Sequence, residues 1–422
     1  MKLKNIIALS LAMCVLAPRP SRADEGAVLK QVERLNQVPE DQLSEKIDPG
    51  FSILRSLYDQ DGPDYLVLRK LLGKASVRSA LNPSAKCVLA GIISQRWDTF
   101  TLSGNLYLAG LQSANPDLRD KARKKLVCFI QPAHLPALVD LMKIPGPNVL
   151  ANEILQEVTG QHVNPSAKAW RKWWLKSGAK ADIVGHLLND TRSQLTNQRV
   201  HPFDQERFWY LPEKISDAQT PYAKRSEKEQ DAISEWSNWV NTDVKRFVDE
   251  SAATKPILDR LIHQPDPRVN TFLESLTTDP AMGDYASVVL AWRSSAGSLE
   301  KIQAAYNAKP TVGRALARGS LGEKGALVDL LRMLDQTQAS PLSYKIMDDD
   351  ARNMLSPLRT VGIIPAEQAF ELLCHHSFDF DAAMTPKEKR KCFKAAKAWL
   401  KSNATQLSYD RRRGYYTGPS EK

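Results

Sequence analysis

The chain has 422 residues, 42% hydrophobic, 25% charged and 7% aromatic, with a formal charge of +10. That composition is ordinary for globular proteins and leaves room for two or three cores or one long repeat array; it excludes collagen-like and low-complexity classes. Five cysteines in such a length exclude a disulfide scaffold.

The N-terminus reads as a secretory signal. Lys2 and Lys4 precede the apolar stretch Ile6–Ala17, and Ser21-Arg22-Ala23 places small residues at both cleavage-pocket positions. Twelve apolar residues are too few to span a bilayer as a helix, so no transmembrane span is expected. Leu11-Ala12-Met13-Cys14 looks like a lipid-attachment box, although Met13 stands where a small residue is usual. Cleavage near Ala23 predicts a periplasmic or secreted protein. It removes Lys2, Lys4, Arg19 and Arg22 and no acid, leaving 54 − 48 = +6. That balance is far from a nucleic-acid-binding signature, and nucleic acid is not an expected partner.

From Val28 on, apolar residues recur at helical spacing. Val28, Val32 and Leu35 form one stripe, Tyr65, Leu68, Leu71 and Leu72 another, Leu118, Ala122, Leu126 and Ile130 a third. Strand-like alternation is nearly absent, so the fold class is all-α. The helices come in pairs: Asn115-Pro116-Asp117 opens one over Leu118–Ile130, Leu135–Met142 forms the next, and Val149–Val158 follows, ending at Gly160. Short helices separated by Pro/Gly turns suit a stack of helix pairs.

Next comes Thr159-Gly160-Gln161, a polar loop, and a helix carrying Trp170, Trp173 and Trp174 among Lys168, Arg171, Lys172 and Lys176. Asn164 is the expected cap, Pro165 the first helical residue, and Gly178 a left-handed end. The box recurs as Leu195-Thr196-Asn197-Gln198 with Trp236 and Trp239 after an insertion of about thirty residues. A third version runs from Cys374 to Asn403, its helix starting at the capping box Thr385–Glu388; there "KAWLKSN" matches "KWWLKSG" and aligns Trp399 with Trp174. Recurrence assigns all six tryptophans to packing, with a ligand-stacking surface, above all for carbohydrate, as the alternative.

"ALVDL" occurs at Ala137–Leu141 and Ala326–Leu330, and "PDLR" at 116–119 echoes "PDPR" at 265–268. On these residues the chain resembles the HEAT-repeat family in its exported bacterial form. The Pro/Asp turn with Asp117-x-Arg119 or Asp266-x-Arg268 is similar to the start of a first repeat helix, and Leu135–Met142 to the second. The resemblance covers about residues 80–178 and 255–400 and is poor over 180–250. It implies an α-solenoid used for protein–protein contact and carries over no catalytic residue. Two lobes are expected, 24–180 and 251–405, with 181–250 as a connector and 406–422 as a flexible basic tail.

The insertion 199–230 holds "HPFDQERFWYLPEK", in which Phe208, Trp209 and Tyr210 are the expected partner-binding residues, since long insertions on repeat scaffolds often carry the specific function. Arg411, Arg412 and Arg413 of the tail are the second candidate, for an anionic partner. Cys374, His375, His376, Asp379, Asp381 and Cys392 supply metal-ligand types without metal spacing, and no cofactor or metal is expected. Cys374 and Cys392 could pair only if the 377–384 loop folds back; Cys87 and Cys128 are the other candidate pair. No nucleophile elbow, phosphate loop or dinucleotide fingerprint is present, and Asp348–Asp350 reads as a helix start. The expectation is an exported, non-enzymatic scaffold for a protein partner. A glycan or envelope-polymer module and a helical hydrolase or lyase are the alternatives.

Overall fold

The computed structural model describes residues 24–40, 43, 63–94, 99–198, 200–210, 215, 220–293, 295–336, 347, 353–355, 358–359, 361–380, 385–410 and 414–417. The expected signal segment, Asp348–Asp350, Asp381 and Arg411–Arg413 lie outside the described residues. The chain is all-α in class, 74% helix with almost no strand. Among the described residues no helix is long and apolar enough to cross a membrane. The described residues divide into two compact units: those up to 194 together with 257–269, and 195–256 together with those from 270 on.

Unit 1 contains α1 (Glu25–Gln37), α2 (Pro63–Gly73), α3 (Ala75–Ala80), α4 (Pro83–Ile93), α5 (Phe100–Gly110), α6 (Pro116–Phe129), α7 (Leu135–Leu141), α8 (Pro147–Thr159), α9 (Ala167–Lys176) and most of α10 (Ile183–Asn197). Local signals set the boundaries. The Asn115 side chain accepts from the Asp117 and Leu118 amides and starts α6. Gly160, at φ 65°, ends α8 in the left-handed conformation that favours glycine. α4 packs on α5 and α6, α5 on α6, α6 on α8, α8 on α7, and α7 on α9.

The expected lobe boundaries differ from the observed ones, because residues 257–269 return to unit 1. Arg260 reaches Glu157 at 3.6 Å and Asp190 at 2.8 Å. His263 stacks on Phe129 at 4.1 Å, and the Gln264 amide donates to the Cys128 carbonyl. Residues 181–194 likewise belong to unit 1 and 195–250 to unit 2, so neither part of the expected connector stands apart from a unit.

Unit 2 contains α11 (Gln205–Trp209), α12 (Glu227–Trp239), a π turn (Val240–Val244), and the first part of α13 (Lys245–Ile262). It continues with α14 (Pro267–Leu276), entered at its third residue boundary, then α15 (Gly283–Trp292), α16 (Leu299–Ala308), α17 (Val312–Gly319), α18 (Gly325–Gln336), α19 (Ala366–Cys374) and α20 (Pro386–Asn403). Helix α17 is the hub, touching α15, α16, α18 and α19. Its small residues allow this, since a Cβ on Gly313 would meet Asp284 and one on Gly319 would meet Leu373. Its two arginines are buried and bonded. Arg314 donates to the Ala305 and Lys309 carbonyls, and Arg318 pairs with Asp329 at 2.7 Å beneath the Tyr306 ring.

The π turn has a cause in the sequence. Ala232, Trp236, Val240, Val244 and Val248 are all buried, at a sustained spacing of four. On a straight α-helix sixteen residues at that spacing drift by about 160°. A wider turn takes up the drift and keeps the stripe on one face.

The tail differs from expectation. β1 (Ser408–Asp410) and β2 (Tyr415–Thr417) form an antiparallel hairpin, Tyr409 opposite Tyr416, turning at Gly414 with φ 79°. Tyr416 is fully buried with Phe370 and Leu373. Residues 408–410 and 415–417 are therefore structural rather than a flexible tail. Cys87, Cys128, Cys374 and Cys392 are thiols, with neither expected disulfide formed.

Candidate binding surfaces

The insertion folds inward. The Asp204 side chain accepts from the Arg207 amide and starts α11, which drives the next three residues into unit 2. Phe208, Trp209 and Tyr210 are buried, with 0%, 7% and 7% exposure, so they cannot form the partner-binding surface expected of them. Phe208 lies edge-on to Trp209 at 5.0 Å and tilted on Trp236 at 6.0 Å, while the Trp236 indole donates to the Arg207 carbonyl. The Tyr210 hydroxyl donates to Glu367 Oε2 at 2.9 Å. Buried Lys389 stands 3.5 Å from Glu367 Oε1 and 4.6 Å above the Tyr210 ring, and burial lowers its pKa. Burial raises the Glu371 carboxyl, which lies in α19 with Glu367. The three rings are covered by unit 2 and the Tyr210 hydroxyl has an internal acceptor; the Trp209 indole N–H is buried without a hydrogen-bond partner among the described residues.

What the insertion presents outward is its other face. Phe203, half-buried, packs on Phe247 at 4.4 Å and near Trp239 at 6.2 Å. Exposed Arg207 lies 4.7 Å over the half-buried Trp239 ring and contacts Glu235 at 3.4 Å. Beside Phe203, His201 Nδ1 lies 2.8 Å from Glu250 Oε1, and Arg246 reaches both Glu250 and His201 Nε2. Trp239 ends α12 at the start of the π turn. This patch combines a tryptophan, a phenylalanine, two arginines and a histidine with three exposed or half-exposed acids, Glu235, Asp243 and Glu250.

The first tryptophan helix, α9, is capped by Ser166, whose hydroxyl accepts from the Ala169 amide, two residues past the expected Asn164. Trp170 is fully buried, and its indole donates to Asn152 Oδ1 at 2.8 Å. Trp173 meets it edge-on at 5.4 Å and, like Trp174, is half-buried. Gly178 is not left-handed; it begins a short 3-10 turn, and a Cβ there would run into the Trp174 and Trp173 rings. Close approach is the reason for that glycine, rather than backbone conformation.

The third helix, α20, starts at the expected capping box, with Thr385 and Glu388 each accepting from the other's amide. Trp399 is half-buried, stacked on exposed His376 at 5.7 Å. The buried residue one turn before it is Ala396, which aligns Trp399 with Trp173 rather than Trp174. His375 stacks on Tyr415 at 4.1 Å, and burial pushes the Cys374 thiol well above its usual range. Among the described residues no group of three His, Cys, Asp or Glu side chains is placed to hold a metal ion.

The two repeat-start arginines do different work. Arg119 donates to the Ser113 and Ala114 carbonyls, tying the turn before α6. Arg268 forks onto Asp182 at 2.7 and 2.8 Å and onto Asp266, and these bonds hold the Asp182 carboxyl down to about 2. A shallow pocket lined by Gln131, Pro132, Ile183 and Gln264 opens beside that cluster.

No family model matches the chain, and no curated protein or solved structure matches it either.

Proposed function

We propose that the chain is an exported, non-enzymatic scaffold, a HEAT-like solenoid of stacked helix pairs, that binds a protein partner through the Phe203–Arg207–Trp239 patch. The observation that carries this reading is the Arg207 guanidinium lying over the half-exposed Trp239 ring. Tryptophan and arginine are the residues most enriched at the energetic centres of protein interfaces. The π turn beside them supports it, because such turns recur at functional sites and hold side chains off the regular helical register. Mixed charge around the patch favours a protein surface over a polyanion. A ring face covered by a guanidinium is closed to sugar stacking, which favours a protein over a glycan. The charged groups buried in unit 2 are committed to one another, as in Glu367–Lys389 and Arg318–Asp329, which supports a structural rather than a catalytic role for them.

The test is capture of a partner from the native envelope fraction by the wild-type chain and by Trp239→Ala and Arg207→Glu. Each variant is expected to weaken capture by at least about thirtyfold, the scale of an interface hot spot, with the far-UV circular dichroism of the folded chain retained. Capture unchanged in both variants would move the interface off this patch and overturn the reading.

A further inference from the structure

We propose that the outer face of α9 docks onto an anionic phospholipid bilayer. From Val158 to Ala181 the sequence contains no acidic residue, while Lys168, Arg171, Lys172, Lys176 and Lys180 are all exposed. Among the described residues the acid that reaches them is Asp140, which bonds Arg171 at 3.0 Å and Lys143 at 2.8 Å. The remaining cations of the segment face solvent with no acid in their own stretch of chain.

Charge alone would suit any polyanion; the apolar residue among the charges selects the lipid. Leu175 is 79% exposed, the most exposed large hydrophobic side chain among the described residues. At about 100° per residue it falls between Arg171 and Lys168 on the helix, in the middle of the cationic arc. A leucine there gains nothing from a hydrated acidic polymer or a flat acidic protein face. It gains its burial free energy when it enters the boundary between headgroups and acyl chains while lysines beside it keep their ammonium groups at the phosphates. Trp173 and Trp174 stand at the edge of the arc, half-buried, and tryptophan rings prefer that same boundary. Their other faces are fixed by Trp170 and Gly178, so the helix is presented already formed.

The surface is in unit 1, and the proposal stands independently of the protein interface on unit 2. The test is co-sedimentation of the full chain with vesicles of phosphatidylcholine alone and with phosphatidylglycerol added. Because Ile6–Ala17 is itself apolar, the informative comparison is between variants of the same chain. Binding is expected to need phosphatidylglycerol and to fall as salt rises. Lys168→Gln, Lys172→Gln and Lys176→Gln should each weaken it about fivefold, the effect of one basic residue near an anionic leaflet. Leu175→Ser should weaken vesicle binding without changing its salt dependence. Far-UV circular dichroism of these surface variants should match the wild type. Equal binding to both vesicle types, or vesicle binding that none of the four substitutions weakens, would overturn the proposal. So would binding to soluble poly-glutamate as tight as to the vesicles and insensitive to Leu175→Ser, which would assign the face to an acidic protein.

Discussion

Helices α9 and α12 carry tryptophans at the same spacing, Trp170 with Trp173 and Trp236 with Trp239. In both, the first ring is fully buried and its indole N–H is bonded, to the Asn152 side chain in one and the Arg207 carbonyl in the other. In both, the second ring is half-buried. The surroundings then diverge. Around α9 the exposed side chains are basic with one leucine; α12 itself is mainly acidic, and an arginine from outside it covers the outer ring. The inner tryptophan is therefore a packing device that recurs, and the charges around the outer one decide what each helix can meet.

The largest effect should come from the inner rings. Trp170→Ala and Trp236→Ala are each expected to cost about 3–5 kcal/mol, as truncating a buried large aromatic does, read from denaturant unfolding. Trp173→Ala and Trp239→Ala should cost less than half as much. Equal costs for inner and outer positions would erase the distinction between them.

A middle-sized effect should separate the insertion from a surface loop. Tyr210→Phe removes the donor to buried Glu367 and should cost about 1–3 kcal/mol, the range for leaving a buried polar group unsatisfied. A change within about 0.5 kcal/mol, typical of surface substitutions, would return Tyr210 to the surface.

The smallest expected effect is a pH dependence in unit 1. His134 is buried under Gly104 with Nδ1 accepting from the Gln131 amide, and burial lowers its pKa. A histidine whose folded pKa lies below its unfolded value contributes stability that is complete above about pH 6.5 and declines as pH falls toward the folded value. Thermal melts of His134→Gln should show a shallower fall of Tm below about pH 6.5 than the wild type. Parallel pH profiles would assign the acid sensitivity elsewhere.

Much of the helical organisation was legible in local chemistry. Asn115, Gly160 and the Thr385–Glu388 box cap helices where the residues said they would, and helical spacing placed Leu118, Ala122 and Leu126 in a core. What local chemistry could not carry was context. The two copies of "ALVDL" bury both leucines alike, but Val139 is buried where Val328 is exposed, and Asp140 meets surface cations where Asp329 holds buried Arg318. The return of 257–269 to unit 1 depends on pairs such as Arg260–Asp190, seventy positions apart, which no window reveals. Phe208, Trp209 and Tyr210 are buried rather than exposed, a difference hidden in the sequence because aromatic residues without a helical period look the same whether they cover a core or a surface. The hairpin did leave a signal, tyrosines on both sides of a glycine-containing turn.

The π turn at Val240–Val244 also has a meaning for chain length. It holds the equivalent of one residue more than an α-helix needs, so the rod carries one position that its register does not use. Deleting one residue there would let the rod close up as a plain α-helix with its hydrogen bonds intact and its register kept, because the eleven residues then separating Trp236 from Val248 turn through about 1,100°, about 20° past three full turns. Deleting a second residue would turn Trp236 by about 100° relative to Val248 and split the stripe. The segment is a reading frame for side chains with one spare position: it can lose one residue and keep the stripe, but not two.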